Sequence, residues 1–316
     1  MKRLLPFVSG LACLAFACGP ESPTPATPEP PGPSAKAAAT SAAPGPSASD
    51  RAAKAKKTFL AMEAAANAHD ATKVREIYSA DVIKGTAAPD GWKEVKGIEA
   101  VEKQIAAMYT SAPDIQWKSV RIFQRDGFIA DEYVVAGTNA ATGKRAGLRG
   151  IALHWFDDAG KIKKEHVYID QLTMLIHTGR AEGKAPEPAP MPSGPAQWIL
   201  AKNDANEEAN VATFKATWPA KALLGRDFDH DDVATGALYK GVPMGDWLPD
   251  DAWGFGNFVV AEMEVKGADS VLKHVVEVAE HDKGQLVHAK LYSNRLEGKG
   301  LPPGVTPGSG APPPKQ

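Results

Sequence analysis

From residue 51 to about residue 112, apolar side chains recur at the spacing of one helix face. In "RAAKAKKTFLAMEAAANAH" Phe59, Met62 and Ala66 share a side, with Asp50 placed to cap the start. Asp70 is placed to cap a second helix, "ATKVREIYS", in which Val74, Ile77 and Tyr78 share a face. Gly97 precedes a third, with Ile98, Val101, Ile105 and Met108 in phase. Beyond Pro113 the period shortens to two. "DIQWKSVRIFQ", "GFIADEYVVAGT", "GLRGIALHWFD" and "KIKKEHVYID" read as strands, separated at Arg125-Asp126-Gly127, Asn139 to Arg145 and Asp158-Ala159-Gly160 by hairpin chemistry. Helices followed by an antiparallel meander predict an α+β fold, its helices packed on one face of a curved sheet.

The pattern then returns. Asp81-Val82 recurs as Asp232-Val233, Val95-Lys96-Gly97-Ile98 as Tyr239-Lys240-Gly241-Val242, and "GFIADEYVVAG" as "GNFVVAEMEVKG" from Gly256 to Gly267. The closing strand His166-Val167-Tyr168-Ile169-Asp170 matches Lys290-Leu291-Tyr292-Ser293-Asn294. Two domains of this kind in tandem are the economical reading. The second copy is abbreviated, since Gly97 to Phe128 spans 31 positions and Gly241 to Phe258 only 17. "PMGDWLPDDAWGF" replaces the third helix, and its prolines and glycines predict an irregular crossing and a shallower or differently closed cavity.

The ends have a different composition. Met1-Lys2-Arg3 and the apolar run Leu4 to Ala17 form a secretory leader too short to span a bilayer as a helix. Ala15-Phe16-Ala17-Cys18 resembles the lipobox of bacterial lipoproteins, which implies lipidation of Cys18 and a place in the bacterial cell envelope; Ala15-x-Ala17 also fits ordinary signal cleavage. The other cysteine, Cys13, lies inside the removed segment, so the mature chain has no pair to form an internal disulfide. The expected organisation is a leader with lipobox (1–18), a Pro/Ala-rich tether (19–50), a first domain (51–180), a Pro-rich linker (181–195), a second domain (196–297) and a Pro/Gly-rich tail (298–316). With 36 basic and 38 acidic residues mixed along the chain, and no basic stripe with interleaved aromatics, nucleic acid is not an expected partner.

Tyr78-Ser79-Ala80-Asp81-Val82, Lys96-Gly97-Ile98, Asp126-Gly127-Phe128, Gly137-Thr138, Asp158-Ala159-Gly160-Lys161-Ile162 and Tyr168-Ile169-Asp170, in that order and spacing, resemble the SnoaL-like polyketide-cyclase family of the nuclear transport factor 2-like superfamily. The resemblance implies a cone of helices and sheet around an apolar cavity, in which enzymatic members place an Asp or His. On a strand, His166, Tyr168 and Asp170 project from one face, opposite Val167 and Ile169. If that face lines the cavity, Asp170 is the candidate catalytic base, with Tyr168 or His166 as donor. The plainer alternative is that Asp170 caps the turn into "QLTMLIHTG". Tyr133, His154, Trp117 and Met108, with Tyr292 and Asn294 in the second copy, are the candidate pocket residues. Asp227 to Asp232 looks like a hard-cation cluster but has Asp232 where a calcium loop needs Gly and Leu238 where it needs Glu, so no metal and no cofactor are expected. The sequence favours a non-catalytic envelope lipoprotein that binds a small apolar molecule or pairs through its sheet faces with a protein partner or a second copy. Its rival is an isomerase, cyclase or hydratase acting through Asp170.

Overall fold

The computed structural model describes residues 45–217, 246–266, 274–294, 297 and 300. The leader with Cys18, the tether to residue 44, the Asp227 to Asp232 cluster, Asp232-Val233 and Tyr239 to Val242 of the repeat, and the tail beyond 300 lie outside the described residues.

The first helix, α1 (Ala48–Asn67), begins three residues earlier than Asp50 would set it. Ser47 is its cap: the Ser47 hydroxyl accepts from the Asp50 amide at 3.2 Å while the Asp50 carboxylate accepts from the Ser47 amide at 3.3 Å. Asp70 does cap, accepting from the Thr72 amide at 3.0 Å, but it opens only a single 3-10 turn (Ala71–Lys73) and a four-residue α2 (Val74–Ile77). Tyr78 is already extended and opens β1 (Tyr78–Ala88), which turns at Pro89 to Gly91 into β2 (Gly91–Lys96). The hydrophobic pattern does not predict this hairpin, because β1 is built of small and mixed residues without a clean alternation. Then come α3 (Ile98–Ser111), β3 (Gln116–Arg125), β4 (Phe128–Thr138), β5 (Arg145–Phe156), β6 (Ile162–Ile169) and α4 (Gln171–His177).

The strands form one seven-stranded sheet in the order β2-β1-β6-β5-β4-β3-β7, where β7 is Gln197–Leu200. The expected meander β3 to β6 is antiparallel throughout, and β1 closes on β6 in parallel. The helices α1, α2 and α3 cover one face, the inner one. Phe59, Val74, Ile77, Val101, Ile122, Ile129, Phe156 and Ile162 form its core, which is the α+β layering that the pattern predicts. The proline-rich stretch after α4 is tied to this unit: the Ala189 amide donates to the Gly147 carbonyl at 3.0 Å and the His177 ring meets the Pro186 carbonyl at 2.7 Å. Its continuation, β7, pairs with β3, so the first residues of the second segment belong to the first sheet.

After β7 come α5 (Ala205–Thr217) and a second sheet of β8 (Asp246–Phe255), β9 (Phe258–Lys266), β10 (His274–Asp282) and β11 (Gln285–Ser293), an antiparallel meander in the order β11-β10-β9-β8. The stretch expected as an irregular crossing is therefore a strand from Asp246 on. Its Pro249 lies beside a register shift on the edge strand, the kind of position where proline is tolerated in a sheet. Phe214 of α5 packs on Val259, Ala261, Met263 and Leu291. The other face of this sheet lies on the outer face of the first, where Phe255, Val260, Val276, Val278 and Tyr292 meet Phe123, Phe128, Ile151, Leu153 and Tyr168.

Candidate ligand-binding site

Alternation along three strands of the first sheet decides what faces the helices. On β6, Glu165, Val167 and Ile169 point inward, so Lys164, His166 and Tyr168 point out. On β4, Ile129, Asp131, Tyr133 and Val135 point in; on β5, Ala152, His154 and Phe156 do. The inner side holds a cavity of about 60 Å³, walled by Met62, Val74, Ile77, Ile105, Met108 and Trp117, with Glu63, Tyr78, Lys84 and Glu165 as its main polar groups.

Glu165 is 3 % exposed. It accepts from the Tyr78 hydroxyl at 2.8 Å and from the Lys84 ammonium at 2.9 Å. Burial would push its carboxyl up, but Lys84, with help from the Tyr78 hydroxyl, holds it below the usual carboxylate range. The cavity thus ends in a balanced carboxylate–ammonium pair with a phenol on the carboxylate.

Behind the cavity, three ionisable groups are uncharged at neutral pH. Asp131 is fully buried; burial raises it to about 8 against the pull of Ser119 and Trp117, so it is an acid, not an anion. The Trp117 indole donates to its Oδ2 at 3.2 Å, while Oδ1 has no partner among the described residues. Tyr133 stacks on Trp117 with ring centroids 3.6 Å apart, and its buried hydroxyl also has no partner among the described residues. Gly150 makes room for that ring: a Cβ there would lie 2.6 Å from the Tyr133 Cζ and hydroxyl. His154 is fully buried against the edge of Phe59, neither nitrogen has a partner among the described residues, and burial lowers it to about 4.

Of the residues singled out in the sequence, Trp117 and Met108 line the cavity, and Tyr133 and His154 are on the same side of the sheet behind it. The face carrying His166 and Tyr168 does not line it. His166 pairs with Glu262 of the second sheet, and the Tyr168 hydroxyl donates to the same carboxylate at 2.5 Å. Asp170 caps α4, accepting from the Leu172 amide at 3.2 Å and the Thr173 hydroxyl at 2.7 Å. Tyr292 donates to Glu132 at 2.5 Å, and Asn294 bridges the Ala87 carbonyl and the Gln171 amide, so both contact the first unit. The sequence pattern did not single out Glu165, Lys84, Tyr78 or Asp131 as site residues. Two carried a signal, since Glu165 is in phase with Val167 and Ile169, and Asp131 with Ile129 and Tyr133; a carboxylate on an apolar phase is a buried carboxylate. Lys84 and Tyr78 are on β1, the strand that the pattern does not predict.

A helix-covered curved sheet with a cavity on the helical side is the class that fold and site define. Residues 59–165 match the model of the SnoaL-like domain. No curated protein matches the sequence. Similar solved structures include a protein assigned as a SnoaL-like polyketide cyclase from Jannaschia sp. CCS1, 13 % identical over 42 % of this chain and 96 % of that one, with a TM-score of 0.38. Another is a phenazine biosynthesis-related protein, phzb2, from Pseudomonas aeruginosa, 17 % identical over 46 % of this chain and 97 % of that one, with a TM-score of 0.38. A third is TsrD from Streptomyces laurentii, 15 % identical over 41 % of this chain and 97 % of that one, with a TM-score of 0.36.

Proposed function

We propose that this is a non-catalytic binding lipoprotein of the bacterial cell envelope, tethered through Cys18, whose SnoaL-like domain takes up a small, mostly apolar molecule with one hydrogen-bonding end. The carrying observation is the cavity itself: apolar walls ending in the Glu165–Lys84–Tyr78 cluster. Ligand pockets are mainly apolar with a few placed polar groups, which is this composition. At about 60 Å³ the space is well below the roughly 300 Å³ where such pockets begin, so entry requires Met62 and Met108, both in the wall, to change rotamer. The binding reading is favoured over an isomerase, cyclase or hydratase because Asp170 is engaged as a helix cap and Tyr168 and His166 are held by Glu262, away from the cavity.

Native mass spectrometry of the purified mature protein tests this. A retained small molecule is expected from the wild type and none from Ile105→Trp, which fills the cavity. Equal retention by both, or turnover of an α-acidic carbonyl compound that is lost in Asp170→Asn, would defeat the reading. The anchor has its own test: Cys18→Ser should move the protein from the membrane fraction to the soluble one, and a wild type already soluble would remove the lipoprotein from the proposal.

A further inference from the structure

The second sheet reproduces the first strand by strand. Across β4, β5 and β6 the residues Glu132, Ile151 and Tyr168 are in register; across β9, β10 and β11 the same places are held by Glu262, Val276 and Tyr292. The next row reads Phe123, Ala130, Leu153 and His166 in one sheet and Trp253, Val260, Val278 and Lys290 in the other. Even the irregularities coincide. The register shift of β3 before Arg121, opposite Glu132, recurs in β8 before Asp251, opposite Glu262. The shift after Trp155 on β5 recurs after Glu280 on β10, the equivalent place. Bulges interrupt a ladder at one chosen residue, so two shared positions are a stronger sign of repetition than matched strands.

The contacts between the sheets are reciprocal under this correspondence. Tyr168 donates to Glu262, and its counterpart Tyr292 donates to Glu132, the counterpart of Glu262. His166 pairs with Glu262, and its counterpart Lys290 lies 4.0 Å from Glu132. Phe123 meets Phe258 at 5.6 Å, and its counterpart Trp253 stacks on Phe128, the counterpart of Phe258, at 4.3 Å. When residue i touches j and the equivalent of i touches the equivalent of j, the surfaces are related by a two-fold axis, as in an isologous dimer.

We propose that the outer face of the first sheet is a self-complementary dimer surface, and that its permanent occupant is the second sheet of the same chain. The chain is then a two-fold dimer in one polypeptide. The face through which two copies could otherwise pair is filled from within, and its acceptor and donor groups are matched: Glu132 receives Tyr292, Arg121 and Lys290, while Glu262 receives His166 and Tyr168.

The test uses the full chain with a protease site inserted between Ala201 and Lys202, cut after folding. The two parts should stay together as a one-to-one complex, and the uncut chain should sediment as a monomer at every concentration tried. Tyr168→Phe and Tyr292→Phe, which keep the rings and remove one hydroxyl each, should both raise the dissociation constant of the nicked complex, each by about tenfold. Parts that separate on cutting overturn the permanent occupant. So does an uncut chain that dimerises and loses that dimerisation in Glu132→Lys, because the face is then open to a second copy. Weakening by only one of the two tyrosine variants overturns the two-fold relation.

Discussion

The two faces of the first sheet differ in how completely their buried polar groups are paired: both pair carboxylates, Glu165 with Lys84 and Tyr78 on the inner one, but the inner face also holds groups with no partner among the described residues. On the outer face each buried carboxylate has several donors, some reaching across from the other sheet: Tyr292 and Lys290 to Glu132, with Arg121 beside it, and His166 and Tyr168 to Glu262. Burial would raise both carboxyls, yet these donors hold both below the usual range. On the inner face His154, the Tyr133 hydroxyl and one oxygen of Asp131 have no partner among the described residues, and burial drives His154 and Asp131 to their neutral forms. Paired carboxylates specify which surface docks on which, because any other arrangement leaves a charge unpaired, although the Nε2 of His166 beside them has no partner among the described residues. Unsatisfied groups stabilise nothing and are tolerated where a site needs them, here next to a cavity.

The largest expected effect breaks the outer side of this contrast. Glu262→Ala leaves Tyr168 and His166 buried without their carboxylate and should cost about 3–5 kcal/mol, read as a lower denaturation midpoint. A loss under about 1 kcal/mol would mean the network is not what holds the sheets together.

On the inner side the expected effects depend on pH, and their signs differ. Asp131 keeps its proton in the folded chain up to about 8, whereas the unfolded chain releases it near 3.8, so the wild type loses stability as pH rises between these values. Asp131→Asn does not titrate. Relative to wild type it should gain about 3–4 kcal/mol between about pH 5 and about pH 8, measured by denaturation at the two pH values. A constant difference would place Asp131 in a wetter or better-paired setting.

His154 acts in the other direction and somewhat more weakly. The unfolded chain takes a proton near 6.5 and the folded one only near 4, so stability falls as pH drops through that window. His154→Leu should outperform wild type by about 2–3 kcal/mol more at about pH 4.5 than at about pH 7.5. Parallel acid melting curves for the two proteins would refute this.

The smallest effect belongs to Asp170, on neither face. Asn can still accept from the Leu172 amide, so Asp170→Asn should shift stability by no more than about 1 kcal/mol and leave any retained ligand in place. Loss of ligand without loss of stability would bring Asp170 back as a site residue.

Much of the architecture is legible in the chain itself. Hydrophobic period alone locates α1, α3 and the four-stranded meander, because both faces of that meander are buried by something and the alternation survives. Asp126-Gly127 and Asp158-Ala159-Gly160 mark turns that are turns. The β1–β2 hairpin is not legible: its small residues are strand only because β1 lies against β6. Nor is the strand in "DWLPDDAWGF", since an edge position excuses a proline that propensity alone forbids.

The sequence by itself determined that His166 and Tyr168 share one face of a strand and Glu165 and Val167 the other, since a two-residue period follows from the pleat of any strand. It determined equally that "GFIADEYVVAG" and "GNFVVAEMEVKG" would form equivalent strands, but it left Asp170 open between a catalytic base and a cap on the turn that follows. Which face would look into a cavity was decided only by the tertiary structure. The helices and the second sheet compete for the two sides, and the winner depends on contacts far apart in sequence, such as Glu262 with His166 or Tyr292 with Glu132. No local pattern encodes which of two half-apolar faces will meet which partner. That choice rests on the matching of charges and rings between surfaces that exist only once both sheets are folded.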